Sequence, residues 1–258
     1  MSKGHFVWHD LFTTDADKAQ AFYTELLGWT TYVQDMGNGP YTMFQAGDKQ
    51  FGGIAPSGPF GGMPSNWVSY ISVDDVDATL DQIKSLGGSQ LVEPFAVPTV
   101  GRMGFATDPE GSVFALFQGE DAYVVTEVPQ GVQPGGAIAW HEVTVENQHG
   151  AADFYAAVFD YGKVVWPMED GGEYIGLTIG DAPVAGVFKR PEGAPAGFWT
   201  IYFEAPGTID QAEADVTRLG GTVLKSKFTV EGTGDFMIAA DPTGAMIGLM
   251  KSLPMGDQ

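Results

Sequence analysis

The chain repeats itself, and this limits its fold more than any other feature. Trp8-His9-Asp10-Leu11 returns as Trp140-His141-Glu142-Val143, an offset of 132. Phe22-Tyr23 falls on Phe154-Tyr155, and Trp67 on Trp199, at the same offset. After one inserted residue, Leu86-Gly87-Gly88 matches Leu219-Gly220-Gly221, and Asp108-Pro109-Glu110-Gly111 matches Asp241-Pro242-Thr243-Gly244. Matches in one order at a near-constant spacing mean two copies of one structural module. We place the first module at 1–121, a connecting segment at 122–136, the second module at 137–252 and a tail at 253–258. The connection contains Val128 to Gly136, rich in proline, glycine and glutamine, and reads as exposed.

Within a module the periodicity changes twice. Val7 to Thr13 alternates as a strand does, and Asp15 is a good N-cap. Ala19, Phe22, Tyr23, Leu26 and Leu27 then carry helical spacing over Ala16 to Leu27, with Gly28 as the stop. Strands follow at Trp29–Gln34, Tyr41–Ala46 and Phe51–Ala55, between turns bearing glycine or proline. The pattern restarts with a strand at Trp67–Val73, a helix at Val76–Leu86 and strands at Gln90–Phe95, Gly101–Thr107 and Val113–Gln118. A module is thus two strand–helix–three-strand units, and the chain holds four.

Composition removes several functions. The chain has 258 residues, 44% of them hydrophobic and 17% charged, which supports a packed core. Cysteine is absent, so disulfides, thiolate nucleophiles and cysteine-ligated metal sites are excluded. Twelve basic residues stand against 33 acidic ones, for a net charge of −21. Such a chain repels phosphate backbones and anionic lipids, so neither nucleic acid nor membrane is an expected partner. No apolar run is long enough to span a bilayer. Met1 to His5 opens no secretory signal, and the expected location is cytoplasmic. No Gly-x-Ser-x-Gly elbow is present to support covalent catalysis.

The stretch from Trp8 through Thr14-Asp15 and Ala21-Phe22-Tyr23 to Leu27-Gly28-Trp29 resembles the vicinal oxygen chelate superfamily. Val73-Asp74-Asp75-Val76-Asp77 and Asp108-Pro109-Glu110-Gly111 do so as well, and the marks recur in the second half. This superfamily includes glyoxalase I, extradiol dioxygenases and the bleomycin- and fosfomycin-resistance proteins. The resemblance implies an α+β fold of tandem paired βαβββ modules whose sheets curl into two cups. Two-module members of this form are often labelled glyoxalase or hydroxylase. It further implies that metal-dependent members place His, Gln or Glu at three kinds of position in each cup. Counted onto this chain, those positions are Trp8, Val68 and Ala115, and then Trp140, Thr200 and Gly248. None is a usual metal ligand, because a divalent ion needs two to four converging imidazole or carboxylate donors. The metal site is therefore expected to be lost, and no cofactor is expected.

His9 and His141 stand one residue beyond the expected ligand positions. A strand turns successive side chains to opposite faces, so both should point away from the cup, packed or hydrogen-bonded. Trp8 and Trp140 point in, either as stacking surfaces or as core filling. Asp10 and Glu142 share that face and could bind a ligand hydroxyl, act as bases or pair with Arg102 and Arg218. Parity adds Tyr70, Tyr202, Phe117, Met246 and Met250 as lining residues. Small side chains at Ala115 and Gly248 should leave room where a ligating glutamate would stand. The glycine-rich stretch from Phe51 to Pro64 lacks the lysine of a phosphate loop and reads as a connection and lip over a cup.

Three functions fit these residues. One is metal-free binding of an aromatic or polycyclic molecule, for sequestration or secondary metabolism. The next is a metal-independent acid–base enzyme, a cyclase, epimerase or dehydratase, with Asp10 or Glu142 as base and Tyr70 or Tyr202 as acid. The last is a metal-dependent lyase or dioxygenase acting through His9 and His141. Either a monomer or a homodimer is compatible with two modules in one chain.

Overall fold

The computed structural model describes residues 3–35, 39–56, 64–119, 135–169, 171–193 and 197–253. The first half runs β1 (Phe6–Thr13), α1 (Ala16–Leu27), β2 (Thr30–Asp35), β3 (Pro40–Ala46), β4 (Lys49–Pro56), β5 (Asn66–Ser72), α2 (Val76–Ser85), β6 (Ser89–Gln90), β7 (Phe95–Val97), β8 (Gly101–Thr107) and β9 (Val113–Gly119). The second runs β10 (Ile138–Val145), α3 (Gln148–Phe159), β11 (Gly162–Pro167), β12 (Glu173–Ile179), β13 (Ala182–Lys189), β14 (Phe198–Glu204), α4 (Ile209–Arg218), β15 (Thr222–Val230), β16 (Gly234–Ala240) and β17 (Met246–Ser252).

These strands form two curled mixed sheets. The first has the order β2-β3-β4-β1-β5-β9-β8-β6, with β7 paired to β8. The second has the order β11-β12-β13-β10-β14-β17-β16-β15. Parallel pairs occur where a helix intervenes, as in β1 with β4 and β14 with β17. The architecture is the α+β, two-module arrangement that the repeat implies.

Local chemistry accounts for the element ends. The Asp15 side chain accepts the Lys18 N–H at the start of α1, and Gly28 ends the helix at φ 70. One expected strand is corrected. The run from Gln90 to Phe95 is broken into β6 and β7. Pro94 lies in the gap and has no N–H to give to a ladder. Half of the lip expected from Phe51 to Pro64, residues 57–63, lies outside the described residues, and Phe51–Pro56 is part of β4. Residues 120–134, most of the connection, and 254–258 also lie outside them.

The chain divides into two compact units, each drawing on both repeats. One unit comprises the described parts of Met1–Trp8, Val68–Glu127 and Trp140–Thr200. The other comprises those of His9–Trp67, Val128–Ala139 and Ile201–Gln258. In the first unit, Leu80 and Ile83 of α2 and Phe154, Tyr155 and Val158 of α3 belong to one buried cluster with Ile71, Phe114 and Val187. In the second, Phe22 and Tyr23 of α1 and Ile209 and Val216 of α4 share a cluster with Leu11, Phe44 and Leu249.

A buried hydrogen-bonded clasp ties the two repeats together inside each unit. In the first, Trp199 Nε1 donates to Tyr155 Oη at 2.9 Å, and Tyr155 Oη donates to Asp108 Oδ2 at 3.0 Å. The other Asp108 oxygen accepts the backbone N–H groups of Glu110 and Ser112, both at 2.9 Å. In the second, Trp67 Nε1 reaches Tyr23 Oη at 2.9 Å, and Tyr23 Oη reaches Asp241 Oδ2 at 3.1 Å. Asp241 then accepts N–H groups from Thr243 and Ala245. Burial, and secondarily the aspartate charge, raises both tyrosine pKa values well above the ordinary phenol value, so both stay neutral. The repeated Leu-Gly-Gly serves the same junction. A Cβ on Gly88 would lie 2.5 Å from the Thr107 carbonyl oxygen and 3.2 Å from the Phe154 ring. One on Gly221 would lie 2.7 Å from the Ala240 oxygen and 3.0 Å from the Phe22 ring.

Removing one clasp hydroxyl should leave a buried carboxylate oxygen and an indole N–H short of a partner. Tyr155→Phe is therefore expected to cost roughly 3 kcal/mol in urea unfolding. A loss below about 0.5 kcal/mol, the size of a neutral surface change, would show that the clasp is not a stabilising element.

Candidate functional site

The six positions where the family's metal donors would stand carry no such donors. Val68, Ala115 and Thr200 are buried, while Trp8 and Trp140 are half-buried. Tyr70 pairs with Ala115 across the parallel β5/β9 register. Tyr202 pairs with Gly248 across β14/β17, and a Cβ on Gly248 would collide with the Tyr202 ring. This corrects the expectation of open room at Gly248, because the tyrosine from the neighbouring strand fills it. Among the described residues no group of three or more His, Asp or Glu is placed to hold a metal ion. Indole, isopropyl, methyl and lone hydroxyl groups do not fit a divalent ion.

The two histidines are packed into the structure. His9 is 1% exposed, and its Nδ1 lies 3.0 Å from the Phe51 carbonyl oxygen. Burial lowers its pKa to about 4, against a smaller upward pull from that carbonyl. His141 is buried and stacked on Phe6, with ring centroids 3.8 Å apart and planes 7° from parallel.

Each half has a polar pair of its own, around Asp10 on β1 and around Glu142 on β10, and a tyrosine holds each. Tyr41 Oη on β3 donates to Asp10 Oδ1 on β1. In the second half Trp140 Nε1 donates to Tyr174 Oη at 2.8 Å, and Tyr174 Oη donates to Glu142 Oε2 at 2.9 Å. A glycine makes room for each tyrosine. Gly53 is the β4 partner of Asp10, and Gly186 is the β13 partner of Glu142. A Cβ on Gly53 would collide with the Tyr41 ring and hydroxyl, and one on Gly186 with the Tyr174 hydroxyl. The expected ion pairs are thereby corrected. Arg102 pairs with Asp77, and Arg218 with Glu25 and Asp215, on the exposed surface.

The other expected lining residues lie on β5, β9, β14 and β17. Tyr70 is buried edge-on to Phe105, and Tyr202 edge-on to Phe236. Phe117 and Met250 are buried, and Met246 is half-buried. Tyr41 and Tyr174 are the residues that sequence parity missed. Their signal was present, because Tyr41 and Tyr174, like Gly53 and Gly186, recur at an offset of 133. A carboxylate hydrogen-bonded to a phenol can hold a ligand hydroxyl or move a proton.

The depressed His9 pKa gives a pH signature. The unfolded imidazole takes up its proton near 6.5, the folded one near 4. Neutral His9 thus contributes stability that is fully present above pH 6.5 and lost as pH falls towards 4. The contribution is about 3 kcal/mol at full extent. Urea unfolding from pH 7 to pH 4.5 should show a shallower decline in His9→Gln than in the parent protein. Parallel declines would overturn this assignment.

The chain matches the family described as Glyoxalase/Bleomycin resistance protein/Dioxygenase superfamily over residues 4–116. It is 33% identical over 251 residues to CFP32 of Mycobacterium tuberculosis, whose name assigns it provisionally to the glyoxylases. That alignment covers 96% of this chain and 94% of the relative. It is also 33% identical over 241 residues to the anthracycline biosynthesis protein DnrV of Streptomyces peucetius, covering 84% of this chain and 82% of that one. Among solved structures it is similar to the Mn(II)-bound glyoxalase of Novosphingobium aromaticivorans, with a TM-score of 0.65 and 13% identity. That match covers 97% of this chain and 83% of the glyoxalase. The shared fold, and relatives similar over nearly its whole length, make this chain a member of the Glyoxalase/Bleomycin resistance protein/Dioxygenase superfamily.

Proposed function

We propose that the protein binds an aromatic or polycyclic small molecule without a metal or other cofactor, for sequestration or as a step in secondary metabolism. The observation carrying this reading is the content of the donor positions. Indoles, small apolar groups and a tyrosine ring stand there, beside a carboxylate–tyrosine pair in each half. Aromatic surface with a few fixed polar points suits a planar ligand better than an ion. The name of the Streptomyces peucetius relative supplies the ligand class to try first, an anthracycline-type polyketide.

A second reading is favoured by the Tyr174–Glu142 hydrogen bond. A carboxylate and a phenol in contact are the parts of an acid–base enzyme acting on a polyketide-like substrate, with Asp10 or Glu142 as base. In this version Tyr41 and Tyr174 take the acid role first considered for Tyr70 and Tyr202, because their hydroxyls meet the carboxylates.

Titration of the untagged protein with an anthracycline aglycone, with and without a chelator, tests the first reading. Saturable binding with the same Kd in both arms is expected. Binding abolished by the chelator and restored by a divalent ion would overturn it and revive the metal-dependent alternative. Recovery of the ligand unchanged is also expected. If the ligand is instead converted, and Glu142→Gln stops conversion while binding persists, the enzyme reading replaces it.

A further inference from the structure

The two carboxylate–tyrosine pairs are not equivalent, and the difference selects one of them. The second-half pair lies on the face of β10–β13 opposite the core. Register puts Trp140, Glu142, Trp166, Tyr174, Gly176, Gly186 and Phe188 on that face. The alternate residues Val143, Ile175, Leu177, Ala185 and Val187 are all fully buried on the other. Trp166 lies along Tyr174, with centroids 6.0 Å apart and planes within 27°. It occupies the space over Gly176, where a Cβ would collide with its ring. Phe188 adjoins Tyr174 at 6.2 Å. Trp166 is nevertheless 37% exposed, and Trp140, Glu142, Tyr174 and Phe188 are half-buried. The result is an accessible aromatic wall with one carboxylate set in it.

The corresponding places on β1–β4 are filled differently. Gln34 stands where Trp166 does, Met43 where Gly176 does and Ala55 where Phe188 does. Asp10 is one methylene shorter than Glu142 and only 8% exposed. That face carries its extra rings elsewhere, at Phe12 and Tyr32, and has none along the tyrosine where Trp166 stands; its carboxylate is also less accessible.

The hydrogen bonds also fix the polarity of the wall. The indole N–H of Trp140 points at Tyr174, and the single O–H of Tyr174 points at Glu142. Both donors are directed within the relay, so what it presents to a ligand is acceptor oxygen. We propose that this face of β10–β13 is the ligand-reading surface of the chain. It takes one planar aromatic molecule bearing a phenolic hydroxyl at its edge. Trp166 supplies the stacking area, and Tyr174 with Glu142 discriminates for the hydroxyl. This deepens the binding function proposed above and rests on it.

Calorimetric titration of the full chain with alizarin, a dihydroxyanthraquinone, and with its dimethyl ether tests the assignment. We expect one alizarin per chain and at least roughly tenfold weaker binding of the ether, about the worth of one good hydrogen bond. Trp166→Ala should weaken alizarin by a similar factor. Tyr174→Phe combined with Glu142→Ala should bring alizarin and ether to equal affinity, and Gln34→Ala should leave both unchanged. Thermal melting of each variant checks that it is folded, and the exposed Trp166 site makes that variant the safest. Two equivalent sites, no preference for alizarin, or unchanged affinity in Trp166→Ala would overturn the proposal. If the anthracycline aglycone binds while any of these results is found, only the location and hydroxyl preference fail. If neither aglycone nor alizarin binds, the underlying binding function fails too.

Discussion

Everything in this structure depends on a tyrosine placed in a fully buried position and satisfied on both sides. Tyr155 and Tyr23 each accept an indole N–H and donate to an aspartate whose other oxygen is held by a turn. A phenol buried without partners would oppose folding by an amount comparable to a lost hydrogen bond. With partners it becomes selective, since few other arrangements satisfy three groups at once. The clasp fixes a helix from one repeat against a strand and a turn in the same unit. It also explains why Phe-Tyr, Trp, Leu-Gly-Gly and Asp-Pro-x-Gly survive in both copies while much of the surrounding sequence differs.

The opposite faces of the sheets follow a looser rule. Their shape is set by glycines that let rings lie flat on the strands. Gly53 and Gly186 admit Tyr41 and Tyr174, Gly176 admits Trp166, and Gly248 admits Tyr202. Each substitution of a ring for a Cβ exchanges local backbone stiffness for aromatic surface. A fold that in its relatives can carry an ion is furnished here with side chains suited to contact flat apolar groups.

Much of this was legible in the residues alone. Helix α1 falls on Ala16–Leu27 as its apolar spacing and caps indicate, and β8 falls on Gly101–Thr107. The inward position of Asp10 and Glu142 follows from strand parity. What could not be read was the partner of each carboxylate. Tyr41 and Tyr174 lie about thirty residues downstream on another strand, and only the register of β3 or β12 brings them near. Long-range charge offered arginine as the obvious partner, but Arg102 and Arg218 lie on surfaces with nearer aspartates and glutamates. Gly248 leaves no open space for the same reason, since the ring that fills it comes from a neighbouring strand.

The clasps also tell how the chain is partitioned. Tyr23 meets Asp241 and Tyr155 meets Asp108, so each repeat holds one member of both pairs and a complete set of neither. Cutting the backbone between the repeats would yield two fragments that each carry unmatched halves of two cores. Such fragments have reason to reassemble with one another, as complementing pieces of a split protein do, rather than to persist as independent folds.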